Sequence, residues 1–124
     1  MAPLPASFLE QLQGREELIV SSREGSIEGS VPMWFAVAPD GKVLLFTSAF
    51  SVKARRWRSD PWVRLTLPGT AMAVEGAVHA VSAEDVGTLA PLVIERWADW
   101  GVTHVEGLRR MLRAGTHTLF RVEA

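Results

Sequence analysis

Apolar and polar residues alternate with a period of two along much of this chain, and that spacing predicts strands. The clearest run is Ser26 to Ala38. Ile27, Gly29, Val31, Met33, Phe35 and Val37 hold its odd positions, and Ser26, Glu28, Ser30, Pro32, Trp34 and Ala36 its even ones. One apolar face implies one side turned to a core. Pro32 has no N–H to give a ladder, so it belongs at an edge or a bulge, and Gly29 suits a bend. Glu17 to Ser22 (ELIVSS) reads as a preceding strand, joined through Arg23-Glu24-Gly25, where Gly25 supplies the positive φ of a tight turn. Pro39-Asp40-Gly41 makes the next hairpin turn and leads into a third strand, Lys42 to Ser48. That strand is apolar on both faces, Val43 and Leu45 on one and Leu44 and Phe46 on the other. One face fits a barrel interior; the other must meet a helix, a ligand or a partner subunit. Further strands are expected at Trp62–Leu67, with Val63, Leu65 and Leu67 inward, at Ala71–Val81, with Val74, Gly76, Val78 and Ala80 on one face, and at Thr116–Val122.

Helical spacing is confined to short segments. Residues Pro5 to Gln13 place Phe8, Leu9 and Leu12 on one side, too short a helix to stand without packing. Ser51 is a good N-cap for a helix over Val52–Arg58, which Asp60-Pro61 ends. Ser82 with Asp85 has the spacing of a capping box, predicting helix from Ala83; Pro91 should interrupt it and open a second piece to about Asp99. A last helix, His104 to Arg113, has Val105, Leu108, Met111 and Leu112 on its apolar face. Six strands, tight turns and few helices predict a mainly β fold, a six-stranded antiparallel barrel closed on itself so that no edge is left exposed. The expected organisation is a single domain over residues 1–124 with a helical insertion at about 83–114.

Composition narrows the chemistry. Among 124 residues, 48 % are hydrophobic and 22 % charged, the balance of a globule with one core. The net charge of −1, with no long run of one sign, argues against broad nucleic-acid binding. The absence of cysteine excludes disulfides, thiolate metal sites and cysteine nucleophiles, and the absence of tyrosine excludes a phenolic acid. His79, His104 and His117 are too scattered to suggest a metal site. With no secretory signal pattern and no run long enough to span a membrane, a cytoplasmic location is expected.

The charge that does stand out is local. The helix begun by Ser51 carries Lys53, Arg55, Arg56 and Arg58. A helix N-terminus offers free backbone N–H groups and a partial positive charge. Ser51 adds a hydroxyl, Lys53 adds a full charge, and Arg56 can reach the same side. The combination reads as an anion site; the plainer alternative is a solvated basic helix over the barrel mouth.

Order and spacing carry a resemblance. Val31-Pro32-x-Trp34-Phe35, an Asp40-Gly41 turn, a strand ending Phe46-Thr47, Ser51-x-Lys53, and Asp60-Pro61-x-Val63 follow one another as in the pyridoxamine-phosphate-oxidase-like split-barrel family. Val74-Glu75-Gly76-Ala77 resembles a later strand of that family, and the resemblance covers about residues 10 to 123. It implies a split barrel that dimerises, with two cofactor sites in grooves between identical subunits. It also implies FMN as cofactor, with its phosphate near Thr47, Ser51, Lys53 and Arg56 and its ring against Pro32, Met33, Trp34 and Phe46. The family's vitamin B6 oxidases carry basic residues on the second strand and an Arg–His motif near the C-terminus. Here the second strand has none, and the chain ends FRVEA. The resemblance is therefore to the small flavin or deazaflavin reductases, and pyridoxamine 5'-phosphate oxidation does not carry over.

The expected function is an FMN-dependent oxidoreductase that passes hydride to a small organic acceptor. A deazaflavin-dependent reductase, or a dimer that holds flavin or haem without turnover, is the alternative. No Ser-His-Asp set, carboxylate pair or Gly-rich dinucleotide fingerprint competes. Trp97 and Trp100 are expected to anchor the helical insertion and His79 to lie on the surface. Glu75 could pair with a cation. Arg109, Arg110 and Arg113 read as a solvated face, or as a contact for the acidic tail of a deazaflavin coenzyme.

Overall fold

The computed structural model describes residues 4–124 and contains seven strands and four α-helices. In chain order they are α1 (Ala6–Gln11), β1 (Glu17–Glu24), β2 (Ile27–Trp34), β3 (Ala36–Val37), β4 (Val43–Ser48), α2 (Val52–Ser59), β5 (Trp62–Thr66), β6 (Ala73–Ala80), α3 (Ala90–Trp97), α4 (Val105–Arg113) and β7 (His117–Glu123). Every strand pairing is antiparallel, in the order β2-β1-β5-β6-β7-β4-β3.

The two ends of that order, β2 and β3, are separated in sequence by Phe35 alone. The sheet therefore curls until its first and last strands become halves of one segment, and the barrel closes there. This is why seven strands stand where six were expected. The run from Ser26 to Ala38 pairs with β1 as far as Trp34, then changes partner and pairs Ala36 and Val37 with Leu44 and Val43 of β4. Pro32 lies on β2, which has a ladder on one side only, as its missing N–H requires.

The apolar alternation of β2 overstates its burial. Met33 and Phe35 are buried, but Ile27 and Val31 are exposed. The ladder between β1 and β5 covers only Ile19 to Ser21, so the β1–β2 hairpin outruns its neighbour and its tip stands in solvent.

The barrel interior is filled by inward residues such as Leu18, Leu45, Val63, Leu65 and Val122, with Phe8 of α1 and Trp57 of α2 packed against them. A second apolar layer lies outside. Leu44, Phe46 and Leu119 meet Val93, Trp97 and Leu108 of the helical insertion between β6 and β7. The doubly apolar β4 thus has the barrel interior on one face and helices on the other. Gly76 on β6 permits β7 to approach, because a Cβ there would lie 2.1 Å from the Glu123 carbonyl oxygen.

Helix does not begin at Ala83 as the capping box predicts. Ser82 Oγ accepts from the Asp85 N–H (3.2 Å), yet the Asp85 carboxylate accepts from the Ser82 hydroxyl (3.0 Å) rather than from its backbone. The reciprocal cap is not completed. Only a turn and a short 3-10 segment, Val86–Thr88, form before α3 starts with Pro91 in its first turn. No helix among the described residues is long and apolar enough to cross a membrane.

One buried carboxylate ties the strand ends together. Glu123, 2 % exposed, has Lys42 Nζ and Arg121 Nε each at 3.2 Å and His79 Nε2 at 3.5 Å. Burial pushes its pKa up, but the hydrogen bonds from Lys42 and Arg121 and the charges of Lys42 and His79 outweigh that and hold it below the usual carboxylate range. A depressed folded-state pKa stabilises the fold above the unfolded-state pKa, and that contribution is lost as pH falls through the folded value. Urea midpoints of the wild type and Glu123→Gln, followed from about pH 7 down to about pH 3, should therefore converge as the solution becomes acid. A gap that stayed constant would show that this carboxylate does not hold the strand ends.

Candidate functional site

β4 delivers Phe46 and Thr47 to the barrel surface, and the chain turns at once into α2. Ser51 caps that helix. Its Oγ accepts from the Ala54 N–H (3.2 Å) and donates to the Ser48 carbonyl (3.0 Å), and Thr47 Oγ1 lies 3.4 Å away as a further donor. The Ser51 hydroxyl is thus engaged in holding the turn. Past it, the first-turn N–H groups of Val52 and Lys53 have no intrahelical acceptor.

Between β2, β4 and α2 lies a cleft of about 400 Å³. Six of the eight residues expected at a cofactor line it: Pro32, Met33 and Trp34 from β2, Phe46 and Thr47 from β4, and Lys53 from α2. Ser51 touches this group through Thr47. Arg56 does not line it. It borders a second cleft of about 350 Å³, with Ser22, Gly29 and Ser30, and Lys53 belongs to both. Gly29 makes room for the Arg56 guanidinium, since a Cβ there would come within 2.6 Å of Nη1. Ser30 is held by a 2.7 Å hydrogen bond between its hydroxyl and that of Ser21.

Three lining residues were not anticipated: Glu17, Trp97 and Trp100. Trp97 does anchor the insertion, at 1 % exposure, and its ring lies 5.7 Å from that of Phe46. It also forms a cleft wall. Trp100, 52 % exposed, is a further wall, with its ring 6.3 Å from that of Trp34 and 6.4 Å from that of Phe46. His117 stacks on Phe46 at 5.4 Å and 9°. The spacing of Trp97 and Trp100 puts them about one helical turn apart, a signal that they share a side, but nothing local says which strand that side meets.

Lys53 is half-buried, and burial holds its pKa below the ordinary lysine value. Neither Lys53 nor Arg56 takes part in an ion pair among the described residues. A partly desolvated ammonium without a carboxylate, at the junction of an aromatic and a hydroxyl-lined cleft, is suited to an anion attached to a flat ring.

Solved structures share this architecture. A candidate pyridoxamine 5'-phosphate oxidase from Listeria innocua superposes with a TM-score of 0.63 at 15 % identity, over 94 % of this chain and 86 % of that one. The fold is the pyridoxamine-phosphate-oxidase-like split barrel. An FAD-binding protein from Mesorhizobium loti has the same split barrel at TM-score 0.64 and 16 % identity, over 97 % and 87 % of the two chains. HutZ, the haem storage protein of Vibrio cholerae, has it at 0.65 and 15 %, over 98 % and 89 %. A protein of unknown function from Agrobacterium tumefaciens reaches 0.71 at 14 %, and this chain, covered over 98 %, spans 56 % of it. No protein-family model and no curated protein matches the sequence.

Elsewhere on the split barrel, charged residues satisfy one another. Trp62 has the Arg23 and Arg64 guanidinium groups within 4.9 Å of its ring centroid, and Glu75 accepts from its indole N–H (2.6 Å) rather than pairing with a cation. Asp60 and Glu28 pair with Arg23 and Arg64, and each carboxyl is held below its usual range, first of all by the hydrogen bond from its arginine. Arg109 and Arg113 pair with Glu106 and Glu84, as a solvated face does. Among the described residues no group of three or more His, Asp or Glu could hold a metal ion.

Proposed function

We propose that the protein is an FMN-binding oxidoreductase that works as a cytoplasmic homodimer. The observation that carries this reading is Lys53, an unpaired, half-buried cation joining the aromatic cleft to the cleft of Arg56. The residues fit the group. Trp34 and Trp100 offer flat faces to an isoalloxazine above the buried Phe46, and Lys53 and Arg56 together match the charge of a phosphate dianion, with the α2 N–H groups beside them. When bound, a flavin supplies hydride and one-electron chemistry that side chains cannot. The protein's own part is to hold the ring against water with its tryptophans and to fix the phosphate.

The relatives named above as FAD-binding and haem-storing support a flavin or a haem. No histidine lines either cleft, so neither offers an imidazole to a haem iron. A deazaflavin would use the same aromatic walls and the same cations. For the dimer, the support is an apolar rim. Ile27, Val31, Phe50 and Val52 are exposed, and Val31 and Val52 line the second cleft, where a partner subunit would cover them.

Absorbance and fluorescence titration test the reading. The purified protein, or the protein after FMN is added, should show the bands of bound oxidised flavin. Riboflavin, which lacks the phosphate, should bind at least about tenfold more weakly. Uptake of a deazaflavin without FMN would transfer the site to that coenzyme, and failure to take up either would end the enzyme reading.

A further inference from the structure

Arg96, in the last turn of α3, places its guanidinium at the point where the barrel closes. Its Nε donates to the Phe35 carbonyl at 2.8 Å, and its Nη2 donates to the carbonyl of Glu16. Phe35 is the single residue between the β2 and β3 ladders, and Glu16 immediately precedes β1. The same guanidinium lies 5.4 Å from the ring centroid of Trp34, the neighbour of Phe35 and a wall of the aromatic cleft. Trp34 also lies 6.3 Å from the half-exposed ring of Trp100.

We infer that Arg96 is a positioning residue for the cleft: it sets the orientation of the Trp34 ring and thereby couples the helical insertion to ligand binding. A planar guanidinium can hold two carbonyls with its edge and present its face to an indole at the same time. Lysine keeps the charge but has no such fork, and an unbranched apolar side chain has neither. The two backbone hydrogen bonds fix where the guanidinium sits, and with it the cation that stands over the indole. Arg96 also lines a cleft of about 340 Å³ with Leu12, Arg15, Leu92 and Glu95, on the side of the barrel closure that faces α1 and α3. It forms a partition between that space and Trp34. The inference deepens the flavin reading and rests on it for its effect on affinity, but the orientation of Trp34 is a property of the protein alone.

The test is a double-mutant cycle with two readouts. Arg96→Met and Arg96→Lys are made in the wild type and in Trp34→Phe. The near-UV circular dichroism of the protein without added ligand and its FMN affinity are measured for each. Arg96→Met should change the tryptophan bands and weaken FMN about fivefold in the wild type, and do neither beyond the effect of Trp34→Phe in that background. Arg96→Lys should give the same pattern at smaller amplitude, and it carries the cycle if the Met variant fails to fold. Equal changes in both backgrounds would assign Arg96 a general structural role and overturn the inference, as would unchanged spectra. If the wild type takes up no FMN, the cofactor reading falls by itself, and the near-UV cycle alone decides the role of Arg96.

Discussion

Replacing Trp97 with alanine is expected to destabilise the protein by about 3–5 kcal/mol, the range for deleting a large buried aromatic. The indole is 1 % exposed and sits in the layer between β4 and the helical insertion, against Phe46 and with Val93 and Leu108 in the same cluster. Little around it can collapse into the space, because one side is a strand fixed by ladders to β7 and β3. Domains of this size are stable by only about 5–15 kcal/mol, so the variant would lose a large part of its margin. The measurement is a urea unfolding curve. A shift in midpoint with an unchanged slope marks a loss of stability in one cooperative unit. A loss below about 1 kcal/mol would mean that the insertion unfolds separately from the barrel, and that the outer layer is not part of the core.

Lys53→Ala has the opposite character. FMN affinity should fall about 10- to 100-fold, or about 1–3 kcal/mol, the range for a charge-assisted contact to a phosphate. Riboflavin affinity should stay as it was. Stability should not fall. Burial lowers the Lys53 pKa, so the folded state binds this proton less tightly than the unfolded one, and the charged form slightly opposes folding below the unfolded-state pKa. Removing the side chain removes that opposition, and the urea midpoint near neutral pH should hold or rise. Unchanged FMN affinity would place the anion site elsewhere. A parallel loss of riboflavin binding would show that the lysine shapes the cleft rather than reading a phosphate.

What could be read in advance was what local chemistry decides. The doubly apolar stretch Val43–Phe46 announced a strand covered on both sides. Ser51 announced its helix, and Pro32 its one-sided ladder. Inward Val63, Leu65 and Leu67 followed from alternation alone, and all three are buried. Six of the expected site residues meet in one cleft because they sit on two strands and a helix start whose spacing along the chain was legible. Most of the misses are matters of long-range geometry. Nothing in the alternation of Ser26 to Ala38 says that its ladder partner changes at Phe35, since period two is the same whichever strand lies alongside. Nor does it say that Ile27 and Val31 overhang the barrel, which depends on how short the β1–β5 pairing is. Trp97 was recognisable as an anchor of the insertion, whereas Trp100, expected as a second anchor, is half-exposed; the place of both in the cleft is set by which face of the sheet the insertion crosses, a long-range fact. Arg96 reaches back sixty-one residues to Phe35. Ser82 and Asp85 had the right spacing for a cap, and the carboxylate simply found the hydroxyl first.

The two-residue strand β3 has a meaning beyond topology. Every other junction around the barrel is a ladder of three or more paired residues, whereas here two pairs, Ala36 with Leu44 and Val37 with Val43, join the last strand to its neighbour. A cylinder fastened this way has a seam. Spontaneous breathing of a protein runs first where the fewest contacts must be released, and this line begins two residues from Trp34. The line along which the barrel is most easily parted therefore runs beside a wall of the aromatic cleft.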